Sequence, residues 1–259
     1  MIRSHESIVE DQFGDQAQAY VSSTVHAGGE DLDALESIAE RDKPDHALDL
    51  GSGGGHVAYR LARHSRAVTA VDLSAAMLEA VHDTAKQRGL SNIATCPAPA
   101  ERLPFDDAAF DLLACRFSAH HWRDWQAGLR EARRVLKPGA TAIFIDVVSP
   151  AYPPFDTHLQ AVELLRDPSH VRDYTEGEWA SALGHAGFRI RGTIKRRLRM
   201  DFGAWVSRMR TPDAHRAAIR SLQHPAPAET ATYFAIEPDG SFSIDALQIE
   251  ASACRARAL

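Results

Sequence analysis

A cluster of glycines after an apolar run is the first group of residues in this sequence whose spacing suggests chemistry. Gly51, Gly53 and Gly55 follow the segment "HALDL", and Asp49 lies just before them. Asp72 ends the next apolar run, about 20 residues after the first glycine. Glycines let the backbone approach a ligand closely, and a carboxylate at Asp72 can accept both hydroxyls of a ribose. The pattern predicts a site for a ligand that contains a nucleoside.

Two adjacent histidines, His120 and His121, form the second group. They lie in the segment "CRFSAHHW", which follows another apolar run. Because the unperturbed pKa of histidine is about 6.5, either ring can take a proton from a nucleophile, and His121 is the preferred candidate. The alternative is that the pair orders its loop through hydrogen bonds or contacts the bound ligand. Trp122, next to them, either stacks on an aromatic substrate or covers the core.

Alternating strand and helix patterns from about residue 45 to residue 148 must position both groups. The predicted strands are Asp45–Leu50, Ala67–Ser74, Asn92–Ala98, Phe110–Phe117 and Ala140–Val148. The predicted helices between them are His56–His64, a helix that Ser74 caps, and Trp125–Leu136. Such alternation implies right-handed crossovers and a doubly wound parallel sheet, in which ligands bind at the carboxyl ends of the strands. Since the glycines and the histidines both follow predicted strands, we expect them at the same edge of the sheet.

The pattern changes after Ser149, where "SPAYPP" interrupts the alternation. We expect further elements at His158–Arg166 (helix), Thr175–Phe188 (helix), Asp201–Thr230 (mostly helical) and Phe234–Ile244 (strand-like runs around a Pro-Asp-Gly turn). Near the N-terminus, Asp31–Ala39 has the pattern of an amphipathic helix.

Two cofactors fit a glycine loop in this position, a dinucleotide such as NAD and S-adenosylmethionine. The dinucleotide fingerprint is G-x-G-x-x-G/A, and here His56 stands in the place of the third small residue. A pyrophosphate binds at the positive end of a helix dipole, and the carboxylate of Asp49 beside that end would repel it. S-adenosylmethionine carries an ammonium and a sulfonium but no phosphate, so Asp49 suits it directly or through water. The charges therefore favour S-adenosylmethionine.

Four segments resemble the successive motifs of class I S-adenosylmethionine-dependent methyltransferases: "LDLGSGGGHVA", "VTAVDLSAAML", "APAERLPFDDAAFDLLACR" and "LREARRVLKPGATAIFID". The resemblance is greatest to the methyltransferase type 11 group, which includes the ubiquinone/menaquinone-biosynthesis-like enzymes. It covers about residues 40–148 in order and with the proper spacing, so it is far more specific than the glycine loop alone. The segments "RDPSHVR" and "SIDALQIEA" also resemble a less characterised bacterial subgroup of these enzymes.

This resemblance implies roles for the residues of the donor site. Those implied to bind the methionine end, the ribose or the adenine are Asp49, Gly51, Ser52, Gly53, Gly55, Asp72, Leu73, Met77, Ala100, Glu101, Arg116 and Phe117. One position departs from the family pattern, because Pro99 stands where other members commonly have Asp or Thr. Proline offers neither a side-chain acceptor nor an amide donor to the adenine.

Further residues are candidates for binding the methyl acceptor. Arg166, His170 and Arg172 could bind a carboxylate or a phosphate, since arginine forks match such oxyanions. The alternative is that Asp167 caps a turn while the arginines pair with surface acids. Tyr20 lies where the leading helix of the resembled family often closes over the donor, or else it packs against the core. The basic run "KRRLR" fits the solvated face of a strand.

The composition argues against several other classes of function. Of the 259 residues, 44% are hydrophobic and 25% are charged, as in ordinary globular domains, and the formal net charge is −6. That charge, together with the lack of a D/N-P-P-Y/F/W tetrapeptide after the fourth strand, argues against nucleic acid as a partner. Scattered cysteines and histidines, no apolar run long enough to cross a membrane and no recognisable targeting segment predict reduced thiols, no bound metal and a cytoplasmic protein.

We therefore expect one α/β domain with a doubly wound, Rossmann-like sheet of five parallel strands and an antiparallel terminal pair at about Phe188–Met200 and Ser241–Ala251. Residues 1–40 would form an N-terminal helical lead, 41–149 the S-adenosylmethionine-binding core, and 150–259 the rest of the sheet with a helical cover over the acceptor. The expected activity is methyl transfer from S-adenosylmethionine to an oxygen, nitrogen or ring carbon of a small molecule, by a monomer or homodimer. The alternatives are a non-catalytic S-adenosylmethionine-binding protein and an NAD(P)-dependent oxidoreductase.

Overall fold

A seven-stranded sheet lies at the centre of the computed structural model, which describes residues 3–14 and 28–254. The strands are β1 (His46–Leu50), β2 (Ala67–Asp72), β3 (Ile93–Pro97), β4 (Phe110–Arg116), β5 (Leu136–Val148), β6 (Phe188–Met200) and β7 (Phe242–Ala253). Their order in the sheet is β3-β2-β1-β4-β5-β7-β6. Strands β1 to β5 are parallel, whereas β7 runs antiparallel to both β5 and β6. The predicted fold class, including its antiparallel terminal pair, is confirmed.

Helices connect and cover these strands. In the described residues they are α1 (His5–Gly14), α2 (Glu30–Asp42), α3 (His56–Leu61), α4 (Ala75–Gln87), α5 (Trp125–Val135), α6 (Pro153–Arg166), α7 (Glu176–Ala186), α8 (Phe202–Arg208), α9 (Asp213–Gln223) and α10 (Ala228–Tyr233). A 3₁₀ turn at Ala119–His121 follows β4. None of these helices is long and apolar enough to cross a membrane.

Local sequence explains where several helices begin. The hydroxyl of Ser74 accepts a hydrogen bond from the backbone N–H of Met77 at 3.3 Å, so it caps α4 as predicted. Thr175 caps α7 in the same way. Helix α6 begins at Pro153 rather than at the predicted His158, because a proline in the first turn needs no partner for an N–H and already has a helical φ.

Apolar side chains bury both faces of the sheet. On one face α2, α3 and α4 pack through a cluster that includes Leu35, Leu61 and Val81. On the other face α5 and α7 bury Leu129 and Trp179. Burial on both faces is what a parallel sheet with crossover helices requires, and it leaves the carboxyl ends of the strands as the place for a site.

A third apolar cluster holds the helical cover formed by α6, α8, α9 and α10. Phe234 lies within it and is 1% exposed, and Phe242 joins it to the start of β7. The prediction of a strand before the Pro-Asp-Gly turn was wrong, because the chain continues from α10 through turns to Gly240. The apolar spacing of Phe234 and Ile236 packs into this cluster rather than against a sheet face.

Candidate active site

One cavity lies at the carboxyl ends of β1, β2 and β4, and it brings together most of the residues predicted for the donor site. These are Asp49, Gly51, Ser52, Gly53, Asp72, Leu73, Met77, Ala100, Glu101, Arg116 and Phe117. His121 and Trp122 line the same cavity, whereas His120 does not. The sheet therefore joins residues from separate segments at the edge where ligands bind in such folds.

The glycine loop is packed tightly against its neighbours. Gly51 has a positive φ of 73°, and a Cβ at this position would overlap the side chain of Ser118. Gly55, with a φ of 76°, does not line the cavity, and a Cβ there would lie 2.9 Å from atoms of Tyr59 and Val81. The prediction that Gly55 binds the donor is therefore corrected. This glycine instead lets α3 begin close to α4.

Asp49 brings a buried carboxyl group to the cavity. Its Oδ2 accepts a hydrogen bond from the backbone N–H of Ala58 at 2.9 Å. Its Oδ1, like the hydroxyl oxygen of Ser52, has no hydrogen-bond partner within the described part of the chain. Burial raises the pKa of Asp49 to about 8. Two unsatisfied acceptors on one wall fit a ligand with an ammonium group, because that cation supplies the missing hydrogen bonds.

Asp72 is fixed in orientation at the end of β2. Its Oδ2 accepts a hydrogen bond from the N–H of Gly53 at 2.8 Å, and its Oδ1 accepts one from the N–H of Ser74 at 3.0 Å. Burial raises the pKa of this carboxyl group. Each carboxylate oxygen keeps acceptor capacity for a second donor, so the group suits two neighbouring ribose hydroxyls.

The wall beside Asp72 is mainly apolar and consists of Leu73, Met77, Ala98 and Ala100. Glu101 also lines this wall, and its Oε1 accepts a hydrogen bond from the N–H of Asp124 at 3.1 Å. Pro99 lies between two lining residues but is not itself part of the wall. The departure from the family pattern at Pro99 therefore leaves the apolar wall intact.

Arg116 and Phe117 occupy the end of β4. The Nε atom of Arg116 lies 2.5 Å from Oδ2 of Asp31, and both side chains are buried, so this ion pair joins α2 to the edge of the cavity. Phe117 has a positive φ of 49°, which is rare for a residue with a Cβ, and its N–H donates to the carbonyl of Ile145 at 2.8 Å. Strained backbone of this kind is concentrated at functional sites.

The two candidate histidines have different surroundings. Nδ1 of His121 donates to the carbonyl oxygen of Ser169 at 3.1 Å, and its ring meets Phe13 edge-on with centroids 5.2 Å apart. Nδ1 of His120 instead donates to Oδ1 of Asp146 at 2.6 Å. Of the pair, only His121 contributes to the wall of the cavity, so the prediction that His120 acts directly on a substrate is corrected.

Helix α1 supplies lining residues that sequence reasoning missed, namely His5, Glu6 and Val9. Nε2 of His5 donates to the carbonyl oxygen of His121 at 2.8 Å, which ties α1 to the turn after β4. This short, polar helix has no strong apolar period, so little in its amino-acid pattern indicates where it packs. Ser118 and Arg123 also line the cavity without having been predicted.

Trp122 is both a lining residue and a core residue. It is 6% exposed, its Nε1 donates to the hydroxyl of Ser118 at 3.3 Å, and its ring packs on Gly128 so closely that a Cβ there would overlap it. Such packing agrees with the alternative in which the tryptophan covers the core. Tyr20 lies outside the described residues.

The three residues predicted to bind an anionic acceptor lie away from the cavity. Arg166 contacts Glu163 and the carbonyl of Trp205, and Nε2 of His170 lies 3.1 Å from the side-chain oxygen of Gln160. A guanidinium nitrogen of Arg172 lies 3.0 Å from Oδ2 of Asp156. These contacts correct the prediction for Arg166, His170 and Arg172, because their polar groups are engaged within the protein.

Comparison with known proteins accounts for this geometry. The family model described as "Methyltransferase domain" matches residues 48–144. The chain is 32% identical to the uncharacterized methyltransferase YcgJ of Bacillus subtilis over 216 residues, which are 83% of this chain and 85% of that protein. The chain belongs to the class I S-adenosylmethionine-dependent methyltransferases. It is an enzyme of methyl transfer, and its family implies S-adenosylmethionine as the methyl donor.

This methyltransferase also resembles other proteins, over longer or shorter parts of its chain. It is 47% identical to YafE of Escherichia coli over 197 residues, which cover 76% of this chain and 95% of that protein. The crystal structure of YcgJ superposes with a TM-score of 0.82 and 28% identity, covering 87% of this chain and 99% of that one. It is 38% identical to the ubiquinone/menaquinone biosynthesis C-methyltransferase UbiE of Zymomonas mobilis over 95 residues, which cover 37% of this chain and 39% of that protein.

Proposed function

We propose that this methyltransferase transfers the methyl group of S-adenosylmethionine to a small-molecule acceptor, with His121 as the general base for a hydroxyl or amine nucleophile. The observation that carries the proposal is the presence of His121 in the same cavity as Asp49 and Asp72. A proton acceptor and groups suited to the donor thus lie around one space, as in-line transfer requires. Methylation of a ring carbon is the alternative, since UbiE is named a C-methyltransferase, and analysis of the product would identify it.

The residues of the cavity suit the successive parts of the donor. Oδ1 of Asp49 and the hydroxyl of Ser52 would accept hydrogen bonds from its ammonium group, directly or through water. Asp72 would accept the ribose hydroxyls, and the apolar wall with Leu73 and Met77 would pack on the adenine. When bound, the donor supplies an electrophilic methyl group on a sulfonium, which is a good leaving group. The remaining task of the protein is to align the acceptor and exclude water.

His121 is prepared to accept a proton at one defined atom. Because its Nδ1 donates to the carbonyl of Ser169, the neutral ring carries its hydrogen there and leaves Nε2 as an acceptor. Nε2 lies 4.0 Å from Oδ2 of Asp167, so a nearby carboxylate stabilises the charged ring once it has gained a proton. Asp167 is itself oriented by the N–H and hydroxyl of Ser169, at 2.8 and 2.6 Å.

Two features support a small acceptor rather than a macromolecule. Helix α1 covers part of the cavity wall and is tied to the turn of His121 through His5, so the donor and acceptor share a space that this helix helps to enclose. The net charge of −6 also disfavours the phosphate backbone of nucleic acids.

Transfer from donor labelled in its methyl group would test the acceptor class. The protein is incubated with this donor and, separately, with a small-metabolite extract, a protein extract and nucleic acid. We expect label in a low-molecular-weight product. Label found only in protein or nucleic acid would contradict the proposal, and mass spectrometry of the product would identify the methylated atom.

The His121→Ala variant would test the base. We expect kcat to fall about 100-fold or more, within the usual contribution of a positioned base, with little change in the affinity for S-adenosylhomocysteine. His185→Ala is the matched control, because His185 is exposed on α7 and does not line the cavity. An unchanged kcat in His121→Ala would reject the role of this histidine.

A further inference from the structure

A largely buried group of ionisable residues lies beside His121, outside the lining of the donor cavity. It contains His120 from the 3₁₀ turn, Asp146 from β5, Glu163 from α6, and Asp167, His170 and Asp173 from the loop after α6. None of these residues lines the cavity. Burying so many ionisable groups is costly unless they are paired, so their arrangement requires an explanation beyond packing.

Asp146 holds both the ring and the backbone of His120. Its Oδ1 accepts from Nδ1 of His120 at 2.6 Å, and its Oδ2 accepts from the backbone N–H of the same residue at 3.3 Å. Burial alone would lower the pKa of His120, but Asp146, together with Asp173 and Glu163, raises that pKa to about 9. His120 is therefore a cation at neutral pH, and Asp146 fixes its position.

The charged ring of His120 lies directly against His121. Their ring centroids are 4.1 Å apart, and the planes are tilted by 50°. Burial and the charge of His120 lower the pKa of His121, while the carboxylates of Asp167 and Asp146 oppose this shift. A second positive charge so close to the first is disfavoured, as for any pair of like charges that share a buried site.

The third ring of the group follows the same rule. His170 lies 5.8 Å from His120 between ring centroids, and burial together with the charges of His120, His121 and Arg166 lowers its pKa to about 2. Only one of three neighbouring histidines is therefore charged. On the side of α1, Nε2 of His5 donates to the backbone carbonyl oxygen of His121 at 2.8 Å.

We propose that Asp146 and His120 are positioning residues for His121: their ion pair keeps a fixed positive charge beside the His121 ring, so that Nε2 stays unprotonated until the acceptor delivers its proton. The inference rests on the proposed role of His121 as the base. Asp146 and His120 touch neither donor nor acceptor, and they act through His121.

The proton and electron balance of the step is simple. As the acceptor oxygen or nitrogen bonds to the methyl carbon, its proton moves to Nε2 of His121, and the electron pair of the broken carbon–sulfur bond remains on sulfur. His120 neither gains nor loses a proton. The fixed charge of His120 then favours release of the proton from His121, whereas Asp167 stabilises the ring while the proton is there.

The direct test is a titration of the histidine ring nitrogens by NMR in protein labelled with ¹⁵N-histidine, which requires no knowledge of the acceptor. An ordinary histidine titrates at about pH 6.5. In the wild-type protein we expect His121 to stay neutral through this range, with its hydrogen on Nδ1. We expect His120 to be doubly protonated up to about pH 9. Signals are assigned with His120→Gln and His121→Gln.

Two variants remove the fixed charge in different ways. Asp146→Asn deprives His120 of its carboxylate, so His120 should become neutral near pH 7 and the titration of His121 should move up towards its ordinary value. His120→Gln removes the cation itself and should move His121 in the same direction. Asp111→Asn is the control, because Asp111 contacts His46 and Lys137 at the opposite end of β4, and it should leave the titration of His121 unchanged.

The outcomes separate this inference from the proposed function. A His121 titration that does not move in Asp146→Asn or His120→Gln would overturn the inference, and so would a neutral His120 or a charged His121 in the wild-type protein at pH 7. The wild-type titration decides the matter even if a variant does not fold. Once an acceptor is known, the acid limb of kcat/KM should move to higher pH in both variants. If His121→Ala retains full activity while these titrations behave as expected, the base assignment fails and the electrostatic arrangement stands.

Discussion

Asp49 should make the binding of the donor depend on pH, and Asp49→Asn should remove that dependence. Burial raises the pKa of Asp49 to about 8, and Oδ1 has no partner among the described residues, so the free protein holds this carboxyl group mostly protonated at neutral pH. An ammonium group beside Oδ1 favours the carboxylate. Binding should therefore expel a proton, and the affinity should rise as the pH rises.

The size of the effect follows from the pKa. With a pKa of about 8 and a carboxylate that stays ionised in the complex, the affinity for S-adenosylhomocysteine falls about 100-fold between about pH 9 and about pH 6, which corresponds to about 2.7 kcal/mol. At about pH 7, binding should release about 0.9 proton from this group by the same relation.

Isothermal titration calorimetry gives both quantities. Affinities are measured across this pH range, and the released proton is counted from the difference in heat between buffers of high and low ionisation enthalpy. The ligand has an amino group that itself titrates, but its contribution is the same for Asp49→Asn and cancels in the ratio of affinities. Asp111→Asn serves as a control carboxylate away from the cavity. Identical pH slopes in the wild-type and Asp49→Asn proteins would refute the reasoning.

Two further substitutions test the packing of the loop and the reassigned arginines. Gly51→Ala should abolish measurable donor binding and lower Tm, because the left-handed backbone costs about 1–2 kcal/mol for a residue with a Cβ and because the new methyl group overlaps Ser118; a normal calorimetric Kd would contradict this. Arg172→Gln should leave the Kd for S-adenosylhomocysteine unchanged and cost at most about 1 kcal/mol of stability, since Arg172 forms a partly exposed ion pair with Asp156; a weakened Kd would contradict its placement outside the donor cavity.

Most residues of the cavity that we propose for the donor could be predicted from the sequence, because they lie at fixed points of a periodic fold. Asp49, Gly51 and Asp72 lie where strands end, and the strand pattern itself was readable from apolar runs. Gly55 shows where this reasoning stops. A glycine in the loop signals a close approach, but its sequence position does not reveal whether a ligand or Val81 of a neighbouring helix makes that approach.

The histidine pair shows a similar limit. His120 and His121 are adjacent and identical in type, and only the 3₁₀ turn decides which ring enters the cavity. The partner of His120, Asp146, comes from β5, and the partner of His121, Ser169, comes from a loop that follows α6. Contacts of such long sequence separation have no local signature.

The segment "RDPSHVR" was singled out from the sequence, but its basic residues were interpreted in the wrong way. Its basic residues suggested an anion site, but their counter-charges, Glu163 and Asp156, lie on the preceding helix α6 and satisfy them internally. The residues of this segment that approach the chemistry are the inconspicuous ones. Asp167 faces Nε2 of His121, and the carbonyl of Ser169 fixes the hydrogen on Nδ1. Because a proton acceptor needs a defined tautomer as much as a suitable pKa, we propose that the segment contributes to the site by orienting His121 rather than by binding the substrate.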